Sequence, residues 1–262
     1  MNRKTFYAAL RRRSSGVFGT SISQRQVRGV DGILDAFATH GDGRAKTLAY
    51  ALATAYHETA RRMVPVRETL ARDDATARRR LRKAKYAQPE PPYGHCYYGR
   101  GQVQLTWKRN YERSSEDAGV DLVRHPDKAL DPIIGARILI RGLLDGRWNG
   151  KGRGIAHYLP TSGRDDLRNA RRTVNITDKW DLIAGYYRAF LRAIEEAGGV
   201  PKPRFEPVPV SWSKPKPEGA QCSQTGSVTK QPERTNPVSP TSGGGVWVAL
   251  SRFIASIFGG KL

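Results

Sequence analysis

The stretch TLAYALATAYHETARRMVPVRET, residues 47–69, decides how the rest of the chain is read. Leu48, Ala51, Leu52, Ala55 and Tyr56 recur at i, i+3, i+4, i+7 and i+8, an apolar stripe of helical period. Neither glycine nor proline interrupts it before Pro65, which ends a helix because it lacks a backbone N–H and restricts the residue ahead of it. Glu58 lies six residues past Leu52. That is about 240° further round at 3.6 residues per turn, away from the apolar stripe. A second carboxylate, Glu68, stands beyond the proline. One carboxylate is therefore predicted near the end of a rigid helix, and the other on a segment free to fold back across a cleft. Such a pair can run glycoside hydrolysis, one member donating a proton to the leaving oxygen and the other activating water or attacking. It can equally be two solvated surface charges, since Glu is mostly exposed.

Toward the N-terminus, Phe6 and Leu10 suit a short helix over 4–13 with a basic face, broken at Ser14, Ser15 and Gly16. Ser21-Ile22-Ser23-Gln24 reads as a helix start, and Ile33, Leu34 and Phe37 suit the apolar side of a helix beyond it. His40-Gly41-Asp42-Gly43 reads as a turn into the central helix.

Toward the C-terminus, residues 70–85 are dominated by charge, either a solvated helix face or a basic rim that meets an anionic polymer. A loop over 88–94 leads to residues 97–111, where Tyr97, Tyr98, Trp107 and Tyr111 alternate with glycines, amides and Arg100. Aromatic walls with a few placed polar groups suit a sugar site. The same composition suits a buried turn with structural aromatics. Ile133 to Leu144 reads as a core helix, and Leu182, Ile183, Tyr186, Tyr187, Phe190, Leu191 and Ile194 as the last one, capped by Gly198-Gly199. The Gly150–Gly154 run lacks the spacing and the Gly-Lys-Ser/Thr ending of a phosphate-binding loop.

Together, His57-Glu58-Thr59, the block Tyr97-Tyr98-Gly99-Arg100-Gly101-Gln102-Val103-Gln104-Leu105-Thr106-Trp107 and Asn110-Tyr111 resemble glycoside hydrolase family 19. That family holds the class I chitinases and many phage endolysins. Pro65 to Leu70 and Asn169 to Asn175 resemble the endolysins more than the plant enzymes. The resemblance covers about residues 45–192. It implies a mainly α, lysozyme-like α+β catalytic domain that hydrolyses β-1,4 bonds between aminosugars with inversion. Inversion requires the carboxyls to stand about 6.5–9.5 Å apart, and the acid needs a raised pKa.

By the same resemblance Glu58 matches the general acid and Glu68 the general base, with Asp73 and Asp74 as fallback bases. His57, Tyr98, Arg100, Gln104, Thr106, Asn110 and Asn175 match substrate-binding positions. The chain departs from the plant pattern at Gln102, where those enzymes have proline, and at Lys108-Arg109, where they have Asn-Tyr. A plant arginine on the last domain helix has no clear equal, and Arg172 is the stand-in. These departures weigh against chitin more than against glycan hydrolysis.

The full chain has 262 residues and a formal charge of +21. Residues 200–262 hold eight Lys/Arg and three Asp/Glu, so most of the charge belongs to residues 1–199. A field of that sign attracts polyanions, whether nucleic acid, anionic lipid, lipopolysaccharide or cell-wall polymers. Two distant cysteines make no disulfide framework. The N-terminus lacks the apolar core of a secretory signal. A zinc pattern would need histidine at 61, where Arg61 stands, so neither metal nor other cofactor is expected.

The predicted organisation is a catalytic domain over 1–199, a Pro/Gly/Ser-rich linker over 200–245 and an apolar segment over 246–262. The 13 residues Val246 to Phe258 are too few to span a bilayer, which takes roughly 20. Membrane-surface insertion, docking and a passive tail all fit them. The expected protein is an endolysin, made in the host cytoplasm and acting as a monomer on peptidoglycan strands. Contact with membrane or lipopolysaccharide would come from the tail, and no specific nucleic acid is expected. Chitinase is the alternative within the enzyme class. From a different class, a basic protein stacking single-stranded nucleic acid on Tyr98, Trp107 and Tyr111 is the rival.

Overall fold

The computed structural model describes residues 1–149 and 152–202. Most of the predicted linker and all of the apolar C-terminal segment lie outside the described residues. The helices are α1 (Arg3–Leu10), α2 (Gln24–His40), α3 (Ala45–Glu58), α4 (Asp74–Arg80), α5 (Lys108–Ala118), α6 (Pro132–Asp145), α7 (Ile155–Tyr158), α8 (Leu167–Ala170) and α9 (Trp180–Glu196). Strand among the described residues is confined to two antiparallel pairs. In the first, β1 (Val66–Arg67) pairs with β4 (Arg100–Gly101) in the register Val66 to Gly101. In the second, β2 (Pro89–Glu90) pairs with β3 (His95–Cys96). This is the mainly helical α+β architecture that the resemblance implies.

The local signals act as written. Ser23 caps α2 with a capping box, its Oγ accepting from Gln26 N while Gln26 Oε1 accepts from Ser23 N. At the far end, Gly199 N donates to Ile194 O and Gly198 N to Glu195 O, both glycines with positive φ. That is the Schellman closure of α9.

The central helix departs from its predicted surface. Every residue of α3 from Thr47 to Tyr56 is buried, and Glu58 is only 5% exposed. The face opposite the Leu48–Leu52 stripe carries Ala49, Ala53 and Thr54. Those side chains are small rather than charged, so neighbours close over that side as well. A helix apolar all round is an interior helix. Helix α3 packs on α9, α6 and α2, while α1 packs on α9. Phe18, Tyr56, Tyr186 and Phe190 meet edge to face at its C-terminal half.

The helix also ends seven residues before Pro65, at Glu58. Thr59 closes it: its Oγ1 donates to Ala55 O and accepts from Met63 N. Ala60, Arg61 and Met63 then turn with positive φ. A second, smaller core holds Ala71, Ala77, Leu81, Tyr86, Ala87, Cys96 and Tyr98, with Trp107 packed against it. The charged run 70–85 covers this core, Ala77 and Leu81 facing in and Arg78, Arg79 and Arg80 lying toward solvent.

Candidate active site

The two glutamates belong to the two cores. Glu58 is the last residue of α3, and its Oε1 accepts from Arg171 Nη2 at 2.7 Å. Arg171 is itself 1% exposed and also donates from Nε to Asp178 O. Glu58 Oε2 takes no bond from any described residue. Around the pair stand His57 and Asn175, both half-buried. Burial pushes the His57 imidazole below its ordinary pKa, against the pull of Glu58. Asn175 Oδ1 accepts from Ile176 N, while its own backbone N–H donates to Arg171 O.

Glu68 opens a short 3-10 turn after β1 and is 6% exposed. Its Oε1 accepts from Tyr86 Oη at 2.6 Å and its Oε2 from Gly99 N at 2.8 Å. Burial raises its pKa, and the two donors, with Arg100, offset part of that rise. A Cβ at Gly99 would stand 3.2 Å from Glu68 Oε2 and 2.7 Å from Gln104 Oε1, so the glycine lets the backbone reach the carboxylate. The fallback bases are otherwise engaged. Asp73 caps α4, accepting from Thr76 N, and that bond holds its carboxyl down to about 2. Asp74 accepts from Tyr98 Oη and Arg100 Nη2.

The predicted binding residues divide into two groups. His57 and Asn175 lie beside the Glu58–Arg171 pair. Tyr98, Arg100, Gln104, Thr106 and Asn110 are buried, and their polar ends largely serve the protein itself. Arg100 donates to Asp127, Asp74, Cys96 O and Tyr111 Oη, with its guanidinium 3.7 Å over the Tyr98 ring. Gln104 donates to Val66 O, Thr106 to Gln104 O and Asn110 to Thr106 O. Gln102, where the plant pattern has proline, donates to Met63 O and so ties this block to the turn after α3.

Two residues of the site escape a reading of the sequence alone. Arg171, not its exposed neighbour Arg172, holds Glu58; Arg172 bonds Asn169 instead. Tyr86, which holds Glu68, sits beside a run that reads as solvated charge. It is the only aromatic between Met63 and Tyr93, which was the available signal. Among the described residues no group of three or more His, Cys, Asp or Glu could hold a metal ion. No helix among them is long and apolar enough to cross a membrane.

Residues 29–141, which carry both glutamates and the glycine block, match the family model of chitinase class I, glycoside hydrolase family 19. This stretch is similar to that family over 113 of the 262 residues. Short segments are also similar to plant proteins. Endochitinase 1 of Theobroma cacao is 46% identical over 61 residues, 21% of this chain and 19% of that protein. Acidic endochitinase pcht28 of Solanum chilense is 55% identical over 47 residues, 17% and 19% of the two chains. Inactive chitinase-like protein 1 of Hevea brasiliensis is 39% identical over 62 residues, 22% and 20%. The chain thus spans about a fifth of the length of these relatives. The crystal structure of chitinase C from Streptomyces griseus HUT6037 aligns over 78% of each chain at 18% identity, with a TM-score of 0.47. Likeness to family 19 alone does not carry activity, since one of these relatives is named inactive.

Proposed function

We propose that this protein is an inverting glycoside hydrolase that cuts β-1,4 bonds between the aminosugars of peptidoglycan, with Glu58 as general acid and Glu68 as general base. The observation that carries the reading is a pair of buried carboxylates held in unlike ways. Glu58 is anchored through one oxygen by Arg171, and its other oxygen takes no bond from any described residue. Glu68 is gripped on both oxygens by Tyr86 and Gly99. An acid needs one free oxygen to carry the proton to the leaving group, and a base that orients water gains from a fixed carboxylate. The raised pKa expected of the acid is found at Glu68 instead, so the roles rest on the bonding of the oxygens and on the family resemblance. His57 and Asn175 are the substrate contacts beside Glu58. Tyr98, Arg100, Gln104, Thr106 and Asn110 build the wall that fixes Gly99, and through it Glu68.

The endolysin setting, with release onto the wall and host lysis, rests on the likeness of residues 65–70 and 169–175 to phage enzymes. Chitin is the second reading, favoured by the endochitinases among the relatives.

The deciding assay tracks clearing of purified peptidoglycan by wild type, Glu58→Gln and Glu68→Gln, with mass spectrometry of the products. Wild type is expected to release reducing-end sugars without anhydro rings, and each variant to lose about 10²–10⁴-fold in rate. Full activity in Glu68→Gln would remove it as the base. Cleavage of N-acetylglucosamine oligomers with the wall left intact would move the substrate to chitin.

A further inference from the structure

A recess of about 460 Å³ opens beside the N-terminus of α9, apart from both glutamates. Arg164, Arg168 and Arg188 line it, together with the Trp180 indole. All four are exposed. None of the three guanidinium groups makes a hydrogen bond or ion pair with any described residue. Two carboxylates share the lining, Asp165 bonded to other residues and Asp166 bonded to Asn169 but also within the electrostatic reach of Arg164 and Arg168. Asp165 accepts from Lys46 Nζ and Tyr187 Oη, and Asp166 takes Asn169 through both its backbone N–H and its side chain. Three arginines without a hydrogen bond to any described residue, one excess positive charge over the two aspartates, and a flat aromatic face thus line one concave surface. It lies at the end of the 178–180 turn whose Asp178 carbonyl anchors Arg171.

An arginine fork matches a carboxylate in plane, and an indole face suits the apolar side of a sugar ring. We infer that this recess is a subsite for a carboxylate-bearing branch of the glycan strand, an acidic peptide stem beside its sugar. The inference rests on the proposed peptidoglycan reading and sharpens it: a neutral aminosugar polymer offers the three arginines hydroxyl and amide acceptors but no anion. The recess then selects which polymer reaches Glu58, and does so by affinity rather than by chemistry.

The test separates binding from turnover. Co-sedimentation of the full chain bearing Glu58→Gln with purified peptidoglycan stripped of teichoic acid measures affinity alone. Adding Arg168→Gln and Arg188→Gln is expected to weaken it roughly fivefold at low salt, with the difference shrinking as salt screens the exposed charges. Converting the wall's carboxylates to amides should bring the Glu58→Gln protein to the same weaker level. Trp180→Ala should weaken binding at low and high salt alike. In an otherwise wild-type chain, Arg168→Gln with Arg188→Gln should leave turnover of N-acetylglucosamine hexamer unchanged.

Equal binding of native wall with and without the arginine changes overturns the subsite, as does an equal loss on hexamer and wall. A dependence seen only when teichoic acid is left on the wall assigns the recess to phosphate and overturns the carboxylate. Wall that is bound through the arginines yet never cut by wild type sinks the proposed hydrolysis and leaves the recess standing.

Discussion

Glu58 ends a helix buried on every side, while Glu68 sits in a segment whose regular structure is two-residue strands and short 3-10 turns. The helix fixes Glu58 through its own backbone ladder and through packing, and it needs a single polar partner, Arg171, 113 residues away in sequence. The segment around Glu68 has little apolar mass, a core of seven buried residues, so it is held by polar ties instead. Gln102 reaches Met63 O, Gln104 reaches Val66 O, and Arg100 crosses to Asp74 and Asp127. Rigid packing places one carboxylate and a hydrogen-bond net places the other. Damage to the two sides should therefore look different.

The largest effect is expected at Arg171. Changing it to Met strands Glu58 as a buried carboxylate without its partner, a loss of about 3–5 kcal/mol. In a domain of this size that is a fall in melting temperature on the order of 10 °C. Arg171→Lys should recover part of the stability, because the charge returns without the second bond to Asp178 O. If the Met variant melts like wild type, packing alone holds Glu58 and the contrast is overstated.

Gly29 on α2 tests the packed side without touching a charge. A Cβ there would stand 2.6 Å from the backbone carbon and oxygen of Met63, in the turn just beyond Glu58. Gly29→Ala should cost about 1–3 kcal/mol, the range for overpacking a close contact, read from urea unfolding. Gly99→Ala is its counterpart on the other side. There the added methyl meets the ends of the Gln104 and Glu68 side chains, which can shift. The Gly99 variant should keep its stability better than the Gly29 variant and lose more activity, since what moves is the carboxylate.

The same contrast explains what could be read from the sequence. The helical side was legible because periodicity and caps are local: the Leu48–Tyr56 stripe, a helix start within Ser21–Gln24 and the closing Gly198-Gly199 all formed as predicted. The exit from α3 was not legible, because Ala60, Arg61 and Met63 adopt positive φ without being glycine. A turn of that kind is imposed by tertiary contacts such as Gln102 on Met63 O. Thr69, Leu70, Gln104 and Trp107 are of the same type on the Glu68 side. Arg171 and Arg172 are adjacent, and nothing local says which turns inward to an acid 113 residues away. Of the sugar contacts expected in this block, Tyr98, Arg100, Gln104, Thr106 and Asn110 are buried and make hydrogen bonds within the protein. Polar residues that brace a site and polar residues that touch a ligand have the same composition.

The smallest change bears on the polar side alone. Tyr86→Phe removes the Oη–H that donates to Glu68 Oε1 and leaves the ring against Trp107. Burial already lifts the Glu68 pKa above the ordinary carboxylate range, and the Tyr86 bond works against that lift. Without it the pKa rises further, so the acidic limb of the rate profile should move to higher pH. The sign for stability comes from the same shift. A group whose folded pKa is raised contributes most below its unfolded pKa, and that contribution is lost as pH rises through the folded value. The Phe variant should therefore be less stable than wild type by about 1–2 kcal/mol at neutral pH, where Glu68 must stay charged with one donor fewer. The gap should narrow in acid, where the carboxyl is protonated in both proteins. Unfolding curves at several pH values, set beside the rate profile, check both limbs. A gap that does not change with pH would make Tyr86 a packing residue, and Glu68 would then be fixed as Glu58 is, by shape.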